Sequence, residues 1–451
     1  MKKIICFLAL LTPLFALAQK DTVRVMGYNV LYYGNGCQGP NGLYHGYFST
    51  IVKWANPDIL SLVKSGSAPT SPNEEQISAP LGFPDSIIKY SLDVAFPGRY
   101  AYCTYTNASK STNMVLLIYD KNKFGFAGLV SSYSNITDFN TYKLYYREPG
   151  LAQGHDTTFL YLTLNHDKSG DDNELVRTHQ LGAEMAEIHK HFTKLPNYIN
   201  MGDFNVRSSS EGFYKMFTSL QDEGFKLFDP PFFPDRKLKY PANWDHNPAF
   251  AAYFTTSTRE SGGIPNSCGT GGGAKGWYDH IFLSESIVNN TDHIRYIPGS
   301  YVTLGNDGNR YRIGINNNSI SKNKAAPDEV IEAMYRMSNK YPVMVSLEVS
   351  KNQGEKTAHT EVFGVPVFKK ENVQLESAIV DEQLTVVFPE AMLHEELTLE
   401  YVGEDGKVIF NKEIRPEKTR MNFKCKLEPG QYSVRVSGEH NVVTELPFSK
   451  K

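Results

Sequence analysis

An excess of charge of either sign is missing from this sequence. Its 46 Lys and Arg stand against 49 Asp and Glu, a formal net charge of −3. No basic surplus exists to hold a nucleic-acid backbone by charge alone. Long apolar runs are missing beyond the first two dozen residues, so no later segment has the roughly twenty apolar residues a membrane-spanning helix needs. Cysteine is scarce, five in 451 residues, which excludes a disulfide miniprotein. What the chain does have is 41% hydrophobic and 12% aromatic residues, which excludes a disordered or collagen-like polymer. The length suits two domains and one sizeable core.

The first residues read as an address. Lys2 and Lys3 precede an apolar run from Ile4 to Ala18 that Pro13 interrupts, and Ala16-Leu17-Ala18 is a small-x-small cleavage site. Residues 1–18 are therefore expected to be a secretory signal peptide. Cys6 lies inside the apolar run and not at the cleavage point, which argues against a lipid anchor. Losing Lys2 and Lys3 takes the net charge from −3 to −5. The expected product is soluble and exported, secreted or held at the outer cell surface after passing the periplasm. That leaves Cys37, Cys103, Cys268 and Cys425. An oxidising compartment permits disulfides. Cys37 and Cys268 both sit in Gly-rich stretches and are the pair to expect, with four separate buried thiols as the alternative.

Strand-like and helix-like periods alternate from Val23 to about Val349. Strands are expected over Val23–Leu31, Ile59–Leu62, Tyr100–Tyr105, Met114–Tyr119, Phe159–Leu164, Tyr198–Met201, Tyr278–Leu283 and Pro342–Val349. Helices are expected where Phe48, Ile51, Val52 and Ala55, then Leu181, Met185, Ile188 and Phe192, then Phe213, Met216, Phe217 and Leu220 share one face. Residues 224–275 and 301–328 show little periodicity and read as long surface loops. The Gly269–Gly273 run lacks the Lys-Ser/Thr of a phosphate loop and reads as a flexible hairpin tip. Residues 351–364 read as a linker. From 365 to 451 short alternating stretches, such as Leu384–Phe388, Leu397–Tyr401 and Tyr432–Val436, suggest a small all-β sandwich.

Four fragments place polar groups at strand ends. They are Met26-Gly27-Tyr28-Asn29, Leu164-Asn165-His166, Gly202-Asp203-Phe204-Asn205 and Trp277-Tyr278-Asp279. Such groups converge on one rim of a sheet sandwich, where a buried Asp or His needs a partner, a metal or a ligand. In this order the fragments resemble the deoxyribonuclease-like endonuclease/exonuclease/phosphatase family, over roughly Val23 to Val349. The resemblance implies a four-layer α/β sandwich over residues 19–350. It implies hydrolysis of phosphate esters with Mg²⁺ and a His-assisted water. It also implies roles: Asp203 orients water, Asn29 and Asn205 help bind phosphate, His166 donates to a phosphate oxygen, and Asp279 orients a partner histidine.

Three positions depart from that pattern. Pro57-Asp58-Ile59-Leu60-Ser61-Leu62-Val63-Lys64 puts Lys64 where the family has a metal-binding Glu. Ser338-Asn339-Lys340-Tyr341-Pro342-Val343 puts Asn339 and Lys340 where it has Asp and the general base His. The remaining site charges, Asp203 and Asp279 against Lys64 and Lys340, sum to zero. A hard cation needs several oxygen ligands and is repelled by an ammonium. No metal is therefore expected, and Lys64 is expected to fill its place and pair with Asp203. The first reading is thus a secreted family member with a degenerate site that binds a phosphate-containing ligand or nucleic acid without hydrolysing it. A second keeps Mg²⁺ or Mn²⁺ hydrolysis with relocated ligands such as Glu74 or Glu75. A third is a surface structural protein whose cleft is filled by residues 224–275.

The tail resembles a type IX secretion sorting domain, through Leu397–Ile409 with Gly403-Glu404-Asp405-Gly406-Lys407-Val408 and through Leu427-Glu428-Pro429-Gly430-Gln431-Tyr432. That resemblance implies the secretion machinery as a partner. A plain immunoglobulin-like accessory domain is the alternative.

Overall fold

Val23, Val25, Met26, Tyr28 and Val30 are buried without alternation, as a strand covered on both faces requires. They belong to β1 (Lys20–Tyr33), the middle of the larger of two mixed sheets. The computed structural model describes residues 20–67, 79, 82–148, 151, 157–218, 224–261, 268–350, 373–388, 392–393, 397–404, 407–437 and 442–451. The expected signal peptide, the 351–364 linker, Leu220, Glu74, Glu75 and Asp405-Gly406 lie outside them. The chain divides into two compact units, residues 1–359 and 360–451.

In the first unit the strands are β2 (Ile59–Gly66), β3 (Tyr100–Tyr102), β4 (Asn113–Asp120), β5 (Phe124–Ser134), β6 (Asp138–Tyr146), β7 (Phe159–His166), β8 (Tyr198–Asp203), β9 (Leu227–Phe228), β10 (Asp279–Ser284), β11 (Ile294–Tyr296), β12 (Val302–Thr303) and β13 (Val343–Ser350). One sheet runs β11-β13-β1-β2-β4-β3, with β12 also on β13, and the other runs β5-β6-β7-β8-β10-β9. Their inner faces share one core that includes Val25, Leu60, Leu117, Leu162, Met201 and Phe282. The helices Asn41–Ala55 and Asp328–Met337 cover the first sheet, and Glu174–His191 and Gly212–Thr218 the second. The result is a four-layer α/β sandwich. Helix Asn41–Ala55 stops at Asn56, which is left-handed (φ 49°) and precedes Pro57.

Two elements lie outside the expected set, and one expectation needs correction. The hairpin β5–β6 was not legible, since the outer strand is half-buried along most of its length and rich in Ser and Gly. The helix Asp328–Met337 begins where a loop was expected to end. Within 224–275 the stretch Phe254–Arg259 is not a surface loop: Phe254, Thr255, Thr256, Ser257, Thr258 and Arg259 are all buried, as is Trp244. Several of their polar groups bond to neighbouring backbone, for example Thr258 Oγ1 donating to the Ser338 carbonyl at 2.6 Å and Arg259 Nε to that of Tyr335 at 2.8 Å.

The second unit contains β14 (Gln374–Leu375), β15 (Ile379–Val380), β16 (Gln383–Val387), β17 (Leu397–Gly403), β18 (Val408–Ile414), β19 (Arg420–Lys424), β20 (Gly430–Ser437) and β21 (Val442–Lys450). They form a sheet β14-β16-β19 and a sheet β15-β21-β20-β17-β18. Leu384, Val386, Leu399, Tyr401, Val434, Val436 and Phe448 form a core of their own, so this unit is a small all-β sandwich. Among the described residues no helix is long and apolar enough to cross a membrane.

Candidate functional site

Strand register brings the polar strand ends together. β7 and β8 run parallel with His166 opposite Asp203, and β10 runs antiparallel to β8 with Asp279 opposite Asp203. From the other sheet, β1 delivers Asn29, whose Nδ2 donates to Asp203 Oδ2 at 2.8 Å. The segment entering β13 delivers Lys340, whose Nζ lies 2.9 Å from Asp203 Oδ2 and 3.4 Å from Asp279 Oδ2. Ser338 Oγ fixes this segment by donating to the Asn29 carbonyl at 2.7 Å and accepting from the Lys340 backbone N–H at 3.1 Å. Asn29, Asp203, Asp279 and Lys340 are all buried.

The expected pair was therefore wrong in one partner: Lys340, not Lys64, neutralises Asp203. Among the described residues Lys64 makes no ion pair, and its ammonium sits 4.4 Å from the centroid of the Tyr32 ring. The backbone gives the reason. β2 has an irregular register between Leu62 and Ser65, and Lys64 is left-handed there (φ 58°). A bulge re-aims the side chain it carries. Leu31, Tyr32 and Asn205 are also left-handed (φ 44°, 61° and 50°). Four uncommon non-glycine conformations thus crowd one rim, a pattern typical of sites whose geometry is held against strain.

Burial and charge set the protonation states. Burial pushes the Asp203 carboxyl up, but the Lys340 charge and the bonds from Lys340 and Asn29 outweigh it and hold the pKa below the usual value. Asp279 is pushed up to about 7, by burial and then by Asp203, with Lys340 opposing. Burial disfavours the Lys340 ammonium, but the two aspartates more than compensate, and its pKa is raised. Lys340 is therefore an ammonium at neutral pH and has no lone pair with which to take a proton. Lys64 is lowered to about 8 by burial, with Asp203 opposing and Lys340 adding to the fall. His166 is pushed down to about 4 by burial and then by Lys64, so it is neutral. Its Nδ1 lies 3.2 Å from Asn113 Oδ1, which ties the ring to the start of β4.

Asn205 does not touch Lys340. Its backbone N–H donates to Asp203 Oδ1 at 3.2 Å and its Nδ2 to the Asp167 carbonyl at 2.9 Å, which locks the turn after β8. Asp279 faces Lys340; the adjacent His280 is buried elsewhere, between Asp229 Oδ2 at 3.0 Å and the Trp277 carbonyl at 3.2 Å. Asn339 Nδ2 donates to Thr270 Oγ1 at 2.8 Å. Cys37 and Cys268 are disulfide-bonded, with Cα atoms 6.0 Å apart, while Cys103 and Cys425 are free and buried. The bond straps the chain after β1 to the segment that covers Asn339. Gly269 fits there because a Cβ would come within 2.8 Å of Leu31 and 3.1 Å of Asn339. With Thr255 Oγ1 accepting from the Asp279 N–H at 3.2 Å, the Lys340 side of the rim is closed. On the Lys64–His166 side both residues keep partial exposure. Sequence reasoning missed Asn113, Thr255 and Thr270; their signal is spatial, not sequential.

The donor set does not suit a divalent cation. Asp203 Oδ2 and Asp279 Oδ2 are both engaged by an ammonium. Among the described residues no group of three or more His, Cys, Asp or Glu is placed to hold a metal ion.

No protein-family model and no curated protein matches the chain. Solved structures do. An endonuclease/exonuclease/phosphatase from Beutenbergia cavernae is 11% identical with a TM-score of 0.41, over 95% of this chain and 99% of that one. Truncated Caenorhabditis elegans TDP2 is 15% identical with a TM-score of 0.41, over 72% and 97%. The human Nocturnin catalytic domain with bound sulfate is 14% identical with a TM-score of 0.40, over 73% and 97%. These are likenesses of fold and carry no statement about chemistry.

Proposed function

We propose that this chain is a secreted relative of the endonuclease/exonuclease/phosphatase family that has exchanged metal-dependent hydrolysis for binding. One observation supports this above all: the Lys340 ammonium lies between Asp203 and Asp279, on the strand ends where the family resemblance implies the metal and the general base. A buried ammonium paired twice is a fixed counter-charge. It occupies Oδ2 of both carboxylates. The ligand, a phosphate-containing molecule, would enter on the open side of the rim, where Lys64 has no carboxylate partner among the described residues. Export by a signal peptide and handling by a type IX secretion machinery through the C-terminal unit belong to the same reading, supported by the two ends of the sequence.

The test is a phosphodiesterase and phosphatase assay with Mg²⁺, with Mn²⁺ and with chelator. Turnover at the level of the metal-free blank is expected in all three, since loss of a general base alone costs about 10²- to 10⁴-fold. Metal-dependent turnover that Asp203→Ala abolishes would overturn the reading and favour relocated ligands, for which Glu74 and Glu75 are the residues to test. In parallel, the triple exchange Lys64→Glu, Asn339→Asp and Lys340→His should create Mn²⁺ binding measurable by calorimetry where the parent shows none.

A further inference from the structure

The C-terminal unit ends one of its sheets on an apolar strand. Among the described residues β18 pairs with β17 only, so its outer backbone edge is open. Six of its seven residues are exposed. Three of them are large and consecutive: Val408 is 46%, Ile409 52% and Phe410 37% accessible. The cause lies in the packing. Across from β18, Leu399 and Tyr401 of β17 are buried in the core, yet their partners Lys412 and Phe410 are not. The core therefore stops at β17, and β18 overhangs it. Phe410 keeps only a stacking contact with Tyr401, at 4.9 Å between ring centroids. Long open edges with apolar side chains are templates for adding a strand, and proteins ordinarily blunt them.

We infer that β18 is a self-association edge, and that its occupant is β18 of a second copy of this chain, paired antiparallel about a twofold axis at Phe410. The sequence of the strand selects that register. In a twofold antiparallel pair a residue faces itself at the axis and its neighbours face each other in mirror order. Centring on Phe410 sets Phe410 against Phe410, Ile409 against Asn411 and Val408 against Lys412. One residue further it sets Lys407 against Glu413, once on each side of the axis. Centring on Lys412 or on Glu413 would face like charges directly, which is destabilising. Centring on Asn411 would set Glu413 against Ile409. Centring on Ile409 would leave Lys407 facing Asn411 and no opposite charges paired. The Phe410 register alone combines an aromatic pair with two opposite-charge pairs. One added strand buries less than a standard interface of about 800 Å² per partner, so the dimer should be weak and concentration-dependent.

Sedimentation equilibrium of the full chain tests this. A monomer–dimer equilibrium is expected in the micromolar range. Phe410→Lys should leave only monomer over the same concentrations. Glu413→Lys should weaken the dimer by about tenfold, and adding Lys407→Glu to it should restore the parental constant. All three positions are solvent-facing, and circular dichroism with a thermal melt checks that each variant is folded. A strictly monomeric parent up to about 0.1 mM, or a dimer that Phe410→Lys leaves intact in a folded variant, overturns the proposal. So does a failure of the charge-swapped double variant to recover when both single changes weaken the dimer.

Discussion

Two buried polar regions lie on β7 and β8, and they solve the same problem in opposite ways. At the strand ends, Asp203 and Asp279 share the Lys340 ammonium. On the helix-facing side of the same strands, Asp167 and Glu184 are equally buried but have no cation within ion-pair distance among the described residues. Asn165 Nδ2 donates to Asn200 Oδ1 and Asn200 Nδ2 to Glu184 Oε1. Among the described residues, both Asp167 carboxyl oxygens, Glu184 Oε2 and Asn165 Oδ1 have no hydrogen-bond partner. Burial pushes Glu184 up to about 8, and burial and then Glu184 push Asp167 well above its usual value. The first region keeps the Asp203 charge by pairing; the second sheds its charge by keeping protons. Burial alone thus does not say how a carboxyl is tolerated; the nearest cation does.

The largest break in this comparison comes from removing that cation. Lys340→Ala leaves Asp203 and Asp279 buried without a counter-ion. Unfolding in urea should show a loss of about 3–5 kcal/mol at neutral pH, the usual cost of breaking a buried pair from one side. Lowering the pH should recover part of it, because the orphaned carboxyls can then protonate. A loss below about 1 kcal/mol would mean that water or Lys64 takes over the role of Lys340.

In the second region the sign reverses. Glu184 has a raised pKa in the folded protein, so the folded state holds a proton that the unfolded chain has already released. Its contribution to stability is fullest below about 4.5 and declines as pH rises towards about 8, by about 1.4 kcal/mol per pH unit at most. Glu184→Gln mimics the protonated acid. It should stabilise the protein at pH 8 by about 1–3 kcal/mol and flatten the pH dependence over that window, leaving the share that belongs to Asp167. A variant less stable than the parent at pH 8 would show that Glu184 is ionised and served by groups not seen as its partners.

Much of this is legible in the sequence. Motifs such as Gly202-Asp203-Phe204-Asn205 sit at strand ends because buried apolar runs stop where the chain turns, so Asn29, His166, Asp203 and Asp279 follow from the order of strands, and Lys64, Asn339 and Lys340 only from the family resemblance. What could not be read is orientation. Lys64 and Lys340 are equivalent in a charge count, yet a left-handed residue in a bulge turns one towards Tyr32 while a bond from Ser338 steers the other onto Asp203. The buried stretch Phe254–Arg259 was misread for a related reason. Threonine and serine mark surface loops only when their hydroxyls face water; here Thr255, Ser257 and Thr258 bond to neighbouring backbone instead. The β5–β6 hairpin escaped because a half-buried outer strand gives no clean alternation.

The smallest expected effect sharpens the contrast between the two lysines. Lys64 is lowered to about 8, mainly by burial, and among the described residues it has no ion pair. A lysine with a lowered folded-state pKa costs stability below that value, and the cost is relieved as pH rises from about 8 to about 10.5. Lys64 is only half-buried and its ammonium is offset by the Tyr32 ring, so the cost is small. Lys64→Met keeps a flexible side chain beside Tyr32 and removes the charge. It should change unfolding free energy at pH 7 by no more than about 1 kcal/mol, in the stabilising direction, and abolish the rise in stability above pH 8. The same variant should lose most of any affinity for inorganic phosphate at the open side of the rim. A marked destabilisation would instead make Lys64 a second structural counter-charge to Asp203, and the division of labour between the two lysines would fail.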